Sequence, residues 1–274
     1  MERLTMPVVD AHAHIYPEKI AAKAVNAIGN FYGVTMAAPG TAEALLECTS
    51  CSDITHFIVH SVATSAKAVP TINNFIAEQA RIHPEFIGFM TMHHEFNNME
   101  AEVNRAIELG LRGVKIHPDT QMVNMDDPRL MQLYEIIEGK LPIVIHSGDY
   151  RYDYSNPHRL LRVLEAFPDL VVDAAHFGCW SQYEIGYDVL HTKAAQRGNV
   201  FLDESSSLGF LGPRRARELT HMWGCDCIMF GSDYPMWDPV AEYEQFSSAG
   251  FTERELDDLC WHNAERFIGS PIGR

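Results

Sequence analysis

The chain has 274 residues, 46% hydrophobic and 21% charged, which suits one large α/β domain or two small ones with a sizeable core. A formal charge of -16, with lysine and arginine scattered along the chain, argues against nucleic acid, because a polyanion needs a basic face. No apolar run is long enough to span a bilayer, and the opening Met1–Pro7 lacks a charged leader with an apolar core, so no membrane partner and a cytoplasmic location are expected.

Val8-Val-Asp-Ala-His-Ala-His14 is an apolar run that closes on two imidazoles. Positions two apart in an extended strand share a face, so His12 and His14 can address one point and supply half the ligands of a metal. Taken alone, the pair reads equally well as polar residues opening a loop. Pro17 to about Asn30 is expected as a helix, and Thr41 to Cys48 as another with a threonine cap. The apolar loop between them, Phe31 to Gly40, is placed to lie over a site entrance.

Strands are expected at Ile54–His60 and Phe86–His94, with helices near Val69–His83 and Met99–Leu109. The alternation then becomes regular. Leu111–Pro118, Pro142–Gly148, Leu170–Gly178, Val200–Ser205 and Cys227–Pro235 read as strands. Pro128–Gly139, Pro157–Phe167, Tyr183–Arg197, Arg214–Trp223 and Glu253–Phe267 read as helices. Strands covered on both faces should be near-continuous apolar runs, as these are. About eight such units at this length point to a (β/α)8 TIM barrel forming a single domain over residues 1–274. The Gly-x-Gly-x-x-Gly fingerprint of a dinucleotide fold is missing.

Six cysteines are too few for a disulfide scaffold and suit a reducing compartment. Cys48-Thr-Ser-Cys51 has redox or zinc spacing but no second cluster to complete a structural site, so burial is the expected role.

The polar residues fall at one end of each run. His12 and His14 close the first strand, His60 the second, His93 and His94 the third and His117 the fourth; His146, His176, Asp203 with Glu204, and Asp233 close the rest. Barrels of this kind carry their chemistry at the C-terminal strand ends. Imidazole nitrogen and carboxylate oxygen suit Zn²⁺ and its neighbours, with an open position for a water whose pKa the metal lowers toward about 7.

Asp10-Ala-His-Ala-His14, Gly113-Val-Lys-Ile-His-Pro118, His146 after Pro142-Ile-Val-Ile, Ala175-His-Phe-Gly178, Gly231-Ser-Asp-Tyr-Pro235 and Asn263-Ala-Glu-Arg-Phe-Ile-Gly269 together resemble the amidohydrolase superfamily. More narrowly, they look like its amidohydrolase-related branch, which holds aminocarboxymuconate semialdehyde decarboxylase, resorcylate decarboxylases, lactonases and many uncharacterised hydrolases. The resemblance runs from about Val8 to Gly269. It implies one divalent metal, most often zinc with manganese as the alternative, held by His12, His14, His146 and Asp233. It also implies His176 as the proton-transfer or substrate-polarising residue, and Asp233 as a second acceptor of the proton of the attacking water. Lys115 matches a strand-four lysine that bridges two metals in binuclear members, yet the same motif occurs in mononuclear ones, so it stays outside the first ligand set.

Other residues carry expectations of their own. Arg151, on the loop after His146, is a carboxylate anchor or equally a surface ion pair. Tyr16, Phe31, Trp180, Met236 and Trp237 follow strand ends and are candidates for an apolar pocket wall. Asp203 and Glu204 are candidates to orient a ligand histidine. His60, His93 and His94 could touch substrate, although polar rim is the more common role for such residues. The expected reaction is hydrolysis of an amide, ester or lactone of a small organic acid. Nonoxidative decarboxylation of an aromatic or muconate-type acid on the same ligands is the alternative, ahead of a metal-dependent deoxyribonuclease or a barrel that binds without turnover. Relatives of this kind often dimerise, which leaves a homodimer open.

Overall fold

Runs of valine, isoleucine and phenylalanine buried on both sides form short parallel strands: β1 (Val8–His14), β2 (Ile54–His60), β3 (Phe86–Gly88), β4 (Met90–Thr91), β5 (Val114–Ile116), β6 (Ile143–Ile145), β7 (Val172–Ala174), β8 (Val200–Asp203) and β9 (Ile228–Met229). The computed structural model describes residues 6–273, so the reading of the chain's opening falls mostly outside the described residues. β3 and β4 are halves of one barrel strand. Phe89 between them donates to Val59 O at 2.9 Å and Met90 donates to Gly113 O at 2.8 Å, so pairing passes from β2 to β5 across the break.

The sheet closes on itself where the chain beyond β9 meets β1. Ala11 N–H reaches Phe230 O at 2.9 Å, Asp233 N–H reaches His12 O at 2.8 Å, and His14 N–H reaches Tyr234 O at 2.7 Å. The buried Asp10 carboxylate fastens this seam by accepting from Ser232 N at 2.9 Å and Ser232 Oγ at 2.5 Å. The result is the expected (β/α)8 barrel, with parallel strands and helices alternating around it.

Several helices start on a side-chain cap that the sequence provides. Asp127 accepts from Arg129 N at 2.9 Å ahead of Pro128–Ile137, whose Leu130, Leu133, Tyr134 and Ile137 are all buried. Inside the barrel, Val9, Ile58, Phe89, Val144, Phe201 and Met229 form one apolar layer, plugged from below by Trp261 and Phe267 of the last helical segment. Side chains two residues on share a face, so Ile58 leads to His60, Val144 to His146 and Phe201 to Asp203. The apolar floor and the polar layer above it thus come from one alternation.

Four local expectations need correction. The third strand stops at Thr91, which leaves His93 and His94 on the loop beyond it. The helix expected near Arg214–Trp223 is present, but an unexpected helical turn from Leu208 precedes it, set off by non-helical Gly212 at φ 71°. A helix at Pro239–Ser247 was not anticipated, although Asp238 and Pro239 are its cap and first turn. Cys48 and Cys51 are exposed rather than buried, because the turn ending Ala42–Thr49 carries them outward; Cys179, Cys227 and Cys260 are buried as expected.

Candidate metal centre and active-site cavity

β1 is irregular in register between Asp10 and Ala13, a distortion of the kind that re-aims side chains. His12 and His14 both turn into the barrel mouth, with their Nε2 atoms 3.3 Å apart. Asp233 Oδ1 lies 3.4 Å from His14 Nε2 and 3.6 Å from His12 Nε2. Its other oxygen accepts from Ser206 Oγ at 2.5 Å, and that hydroxyl accepts in turn from Trp237 Nε1 at 2.9 Å. Gly231 matters here because a Cβ at that position would come within 3.0 Å of His12 Cβ.

Behind the imidazole of His12, Asp203 Oδ2 lies 2.6 Å from Nδ1. A carboxylate in that place keeps the ring proton on Nδ1 and turns the Nε2 lone pair toward His14 and Asp233. Asp203 therefore takes the orienting role expected of it. Glu204 does not: it is fully buried, and among the described residues no hydrogen bond joins it to a histidine.

His176 and Asp233 have φ of 63° and 57°, and Ser206 has 54°. Left-handed backbone costs a non-glycine residue about 1–3 kcal/mol and persists where the surroundings impose it. For His176 it swings the ring back over the site. Nδ1 sits 2.9 Å from both Ser205 O and Ser205 Oγ, and Nε2 lies 2.9 Å from His146 Nδ1.

His146 is held from the far side by Asp119 Oδ2 at 3.5 Å and Tyr32 OH at 3.4 Å from Nε2, and its ring stacks on that of His117 at 3.9 Å. Among the described residues no hydrogen bond or ion pair joins it to His12, His14 or Asp233. Three of the four expected ligands thus meet directly, and the fourth stands next to them through His176.

Electrostatics favour neutral rings. Burial, with Lys115 alongside, pushes His12 down to about 4, and burial likewise lowers His14, His117 and His146. Burial opposes ionisation of Asp233, but the His14 hydrogen bond and the imidazoles of His12 and His176 beside it outweigh burial and hold this carboxyl below its usual range. Lys115 is fully buried, with Nζ 2.9 Å from His12 Nε2, and burial brings it down to about 8 against the pull of Asp203, Asp233 and Asp173.

His60 is not a rim residue. It is fully buried, its ring is 4.8 Å from that of His12 and 4.5 Å from that of His14, and neither nitrogen meets a partner. Parity with Ile58 was the signal available. Tyr32, whose OH also lies 2.8 Å from His117 Nε2, carried no signal, because it arrives from the end of a helix remote from the strand ends.

The site opens into a cavity of about 600 Å³ lined by His12, His14, Lys115, His146, His176 and Asp233 at its polar end. Tyr16 and Met236 line it as expected; Phe31, Arg151, Trp180 and Trp237 are not among its lining residues. Arg151 is spent elsewhere, on Asp149 at 2.7–3.2 Å and on Phe31 O at 2.6 Å, with its guanidinium 4.8 Å from the Phe31 ring centre. Trp180 packs against Tyr32 and Phe210, and Trp237 reaches Asp233 only through Ser206. His93 and His94 stack on each other, also away from the cavity lining.

A family model described as Amidohydrolase matches residues 9–269. The uncharacterised TIM-barrel protein Bb4693 of Bordetella bronchiseptica is 21% identical with a TM-score of 0.77, over 96% of this chain and 99% of that one. A dihydroxybenzoic acid decarboxylase of Polaromonas sp. JS666, with bound manganese and the inhibitor 2-nitroresorcinol, is 14% identical with a TM-score of 0.72, over 96% and 97%. A Pseudomonas putida protein provisionally assigned as a 2-pyrone-4,6-dicarboxylic acid hydrolase is 19% identical with a TM-score of 0.70, over 97% and 98%. At these identities the structural likeness speaks for the fold, whereas the family match spans most of the strand-end residues that build the site. The chain belongs to the amidohydrolase family.

Proposed function

We propose that this chain is a metal-dependent hydrolase that acts on an amide, ester or lactone of a small organic acid. The observation that carries the reading is the approach of His12 Nε2, His14 Nε2 and Asp233 Oδ1 to within 3.3–3.6 Å of one another. Ligand atoms sharing a tetrahedral cation at about 2.0–2.2 Å stand about 3.3–3.6 Å apart, so the donors fit a single divalent ion. Two imidazoles and a carboxylate, with His146 adjacent, suit Zn²⁺, and Mn²⁺ is the other choice. The unpaired nitrogens of His60, whose ring lies beside those of His12 and His14, support the presence of a group that the protein does not itself supply.

When bound there, a divalent cation supplies a Lewis acid that polarises a carbonyl and acidifies water. The chain's own residues do the rest. Asp203 keeps the His12 proton on Nδ1. Ser206 leaves Asp233 Oδ1 free to face the reacting atoms by holding Oδ2. Ser205 O accepts the Nδ1 proton of His176, so Nε2 carries a lone pair that can take a proton and return it to a leaving group. Lys115 Nζ donates to His12 Nε2 and must give way to any cation there.

Nonoxidative decarboxylation on the same ligands is the second reading, supported by the manganese-bound decarboxylase of like fold. One experiment separates the two. The protein is stripped with a chelator, reloaded with Zn²⁺ or Mn²⁺, and assayed for ring opening of lactones, for amide and ester cleavage, and for CO₂ release from aromatic acids. Hydrolysis restored only by metal supports the first reading and CO₂ release the second; turnover undiminished in stripped protein overturns both.

A further inference from the structure

Helix Glu18–Tyr32 has two apolar faces. Ala21, Val25 and Gly29 are buried, whereas Ile20, Ala24, Ala27 and Ile28 form a second stripe at helical spacing that lines the cavity. Among the described residues no side chains cover that stripe completely, and Ile20 remains 49% exposed. Across the cavity, Ile72 and Phe75 of helix Val69–Ile82 present a matching apolar pair, one helical turn apart and half-buried. The space between these faces belongs to the same 600 Å³ cavity whose polar end is formed by His12, His14 and Asp233. Such a volume lies within the range of about 300–1,000 Å³ that holds a ligand larger than one ring.

The lining contains two lysines. Lys115 is buried at the polar end and engaged with His12. Lys67, on the turn Ala66–Ala68, is exposed and has no hydrogen bond or ion pair among the described residues. It is a cation at the solvent edge of an apolar cavity, on a chain of formal charge -16.

We infer that this site selects a monocarboxylate with an extended apolar body, the body held between helices Glu18–Tyr32 and Val69–Ile82 and the carboxylate met by Lys67. This rests on the proposed hydrolytic site and names the class of molecule it takes. A single unengaged ammonium matches one carboxylate, and the acidic surroundings disfavour anions of higher charge. The apolar walls favour methylenes or a ring over a polar chain. Ala24 and Ala27 set the length that fits, because they are the small residues on the helix stripe.

The test is calorimetric titration of the full-length, metal-loaded protein with phenylacetate through 6-phenylhexanoate and with the corresponding primary amides. Each added methylene is expected to tighten binding about three- to fourfold, and each acid to bind about tenfold tighter than its amide. Lys67→Met should erase the acid–amide gap and leave the amides unchanged. Ala27→Phe should weaken the longest members at least about tenfold and leave phenylacetate unaffected, as expected from filling the space an added ring would occupy. Affinity that is flat with chain length, an acid–amide gap absent from the parent, or an equal loss for acid and amide in Lys67→Met would overturn the inference. Repeating the series on metal-free protein keeps the two proposals apart. Length dependence without any metal-restored turnover would sink the hydrolytic reading alone, and metal-restored turnover with flat length dependence would sink only this one.

Discussion

Asp203→Asn tests how the barrel sets the protonation of its own ligand. Asp203 Oδ1 accepts from His176 N at 3.1 Å, Ser205 N at 3.1 Å and Ser205 Oγ at 2.5 Å, while Oδ2 lies 2.6 Å from His12 Nδ1. An asparagine keeps one acceptor oxygen. Placing it at the Oδ1 position satisfies three donors, whereas turning it toward His12 would strand them at a cost of about 1–3 kcal/mol each. The amide NH₂ must therefore face His12 Nδ1, and two donors cannot face one another. His12 responds by moving its proton to Nε2, which turns Lys115 Nζ away from that atom and leaves an N–H 3.3 Å from His14 Nε2 and 3.6 Å from Asp233 Oδ1. A protonated Nε2 cannot ligate. Loss of such an orienting partner weakens metal affinity about 10- to 100-fold, which is about 1.4–2.7 kcal/mol. Competition against a chromogenic chelator measures the dissociation constants for Zn²⁺ and Mn²⁺, with a thermal melt of the metal-free protein as the check on folding. An Asp203→Asn protein that melts like the parent and binds either metal within twofold of it would refute the tautomer argument.

Three further outcomes follow from the geometry. His176→Ala should retain metal content and ligand binding while turnover falls about 10²- to 10⁴-fold, the range for removing a proton-transfer group; elemental analysis beside a rate assay checks it, and lost metal would reassign the residue to ligation. Glu242 is buried with Oε2 unpartnered, and burial, with Asp10, Asp233 and Asp238 adding to it, pushes its carboxyl from 4.5 up to about 7. Its folded form binds the proton more tightly than the unfolded chain, so stability falls as pH rises from about 4.5 to about 7, by up to about 3 kcal/mol. Urea unfolding of Glu242→Gln should accordingly show its advantage over the parent growing by that amount between pH 4.5 and pH 8, and a pH-independent difference would contradict it. Arg151→Ala should loosen the end of helix Glu18–Tyr32, which Arg151 ties down through Phe31 O, and lower amide-exchange protection there. Because Arg151 lies outside the cavity lining, the acid–amide preference should not change; a drop in that preference would restore the guanidinium as the carboxylate anchor.

Much of this molecule is local and could be read along the chain. β1 and β2 have the bounds expected of them, and Thr41 caps its helix by accepting from Ala44 N at 3.2 Å. The reason is the period of a strand. An apolar residue facing the barrel interior commits the residue two further on to the same face, so Val144 implies His146 and Phe201 implies Asp203 without knowledge of any partner. The placement of imidazoles and carboxylates at strand ends, and with it the barrel, follows from that alternation; the family was legible through the resemblance of the motifs at those ends.

Partnership is another matter. His12 and Asp203 are separated by 191 positions, and only closure of the sheet makes one the hydrogen-bond partner of the other. His176, Ser206 and Asp233 take left-handed backbone that no propensity favours, and a side chain aimed by such a turn escapes period-two reasoning. Arg151 looked available on its loop and is engaged by Asp149 and Phe31, whereas Lys67, on an undistinguished turn, is the cation left open at the cavity edge. Which polar residues existed, and which way those within regular strands faced, was decided residue by residue along the chain. Which of them meet, and which remain free for a ligand, was decided by contacts between distant segments, because a charge is engaged or idle only in relation to what the closed barrel brings beside it.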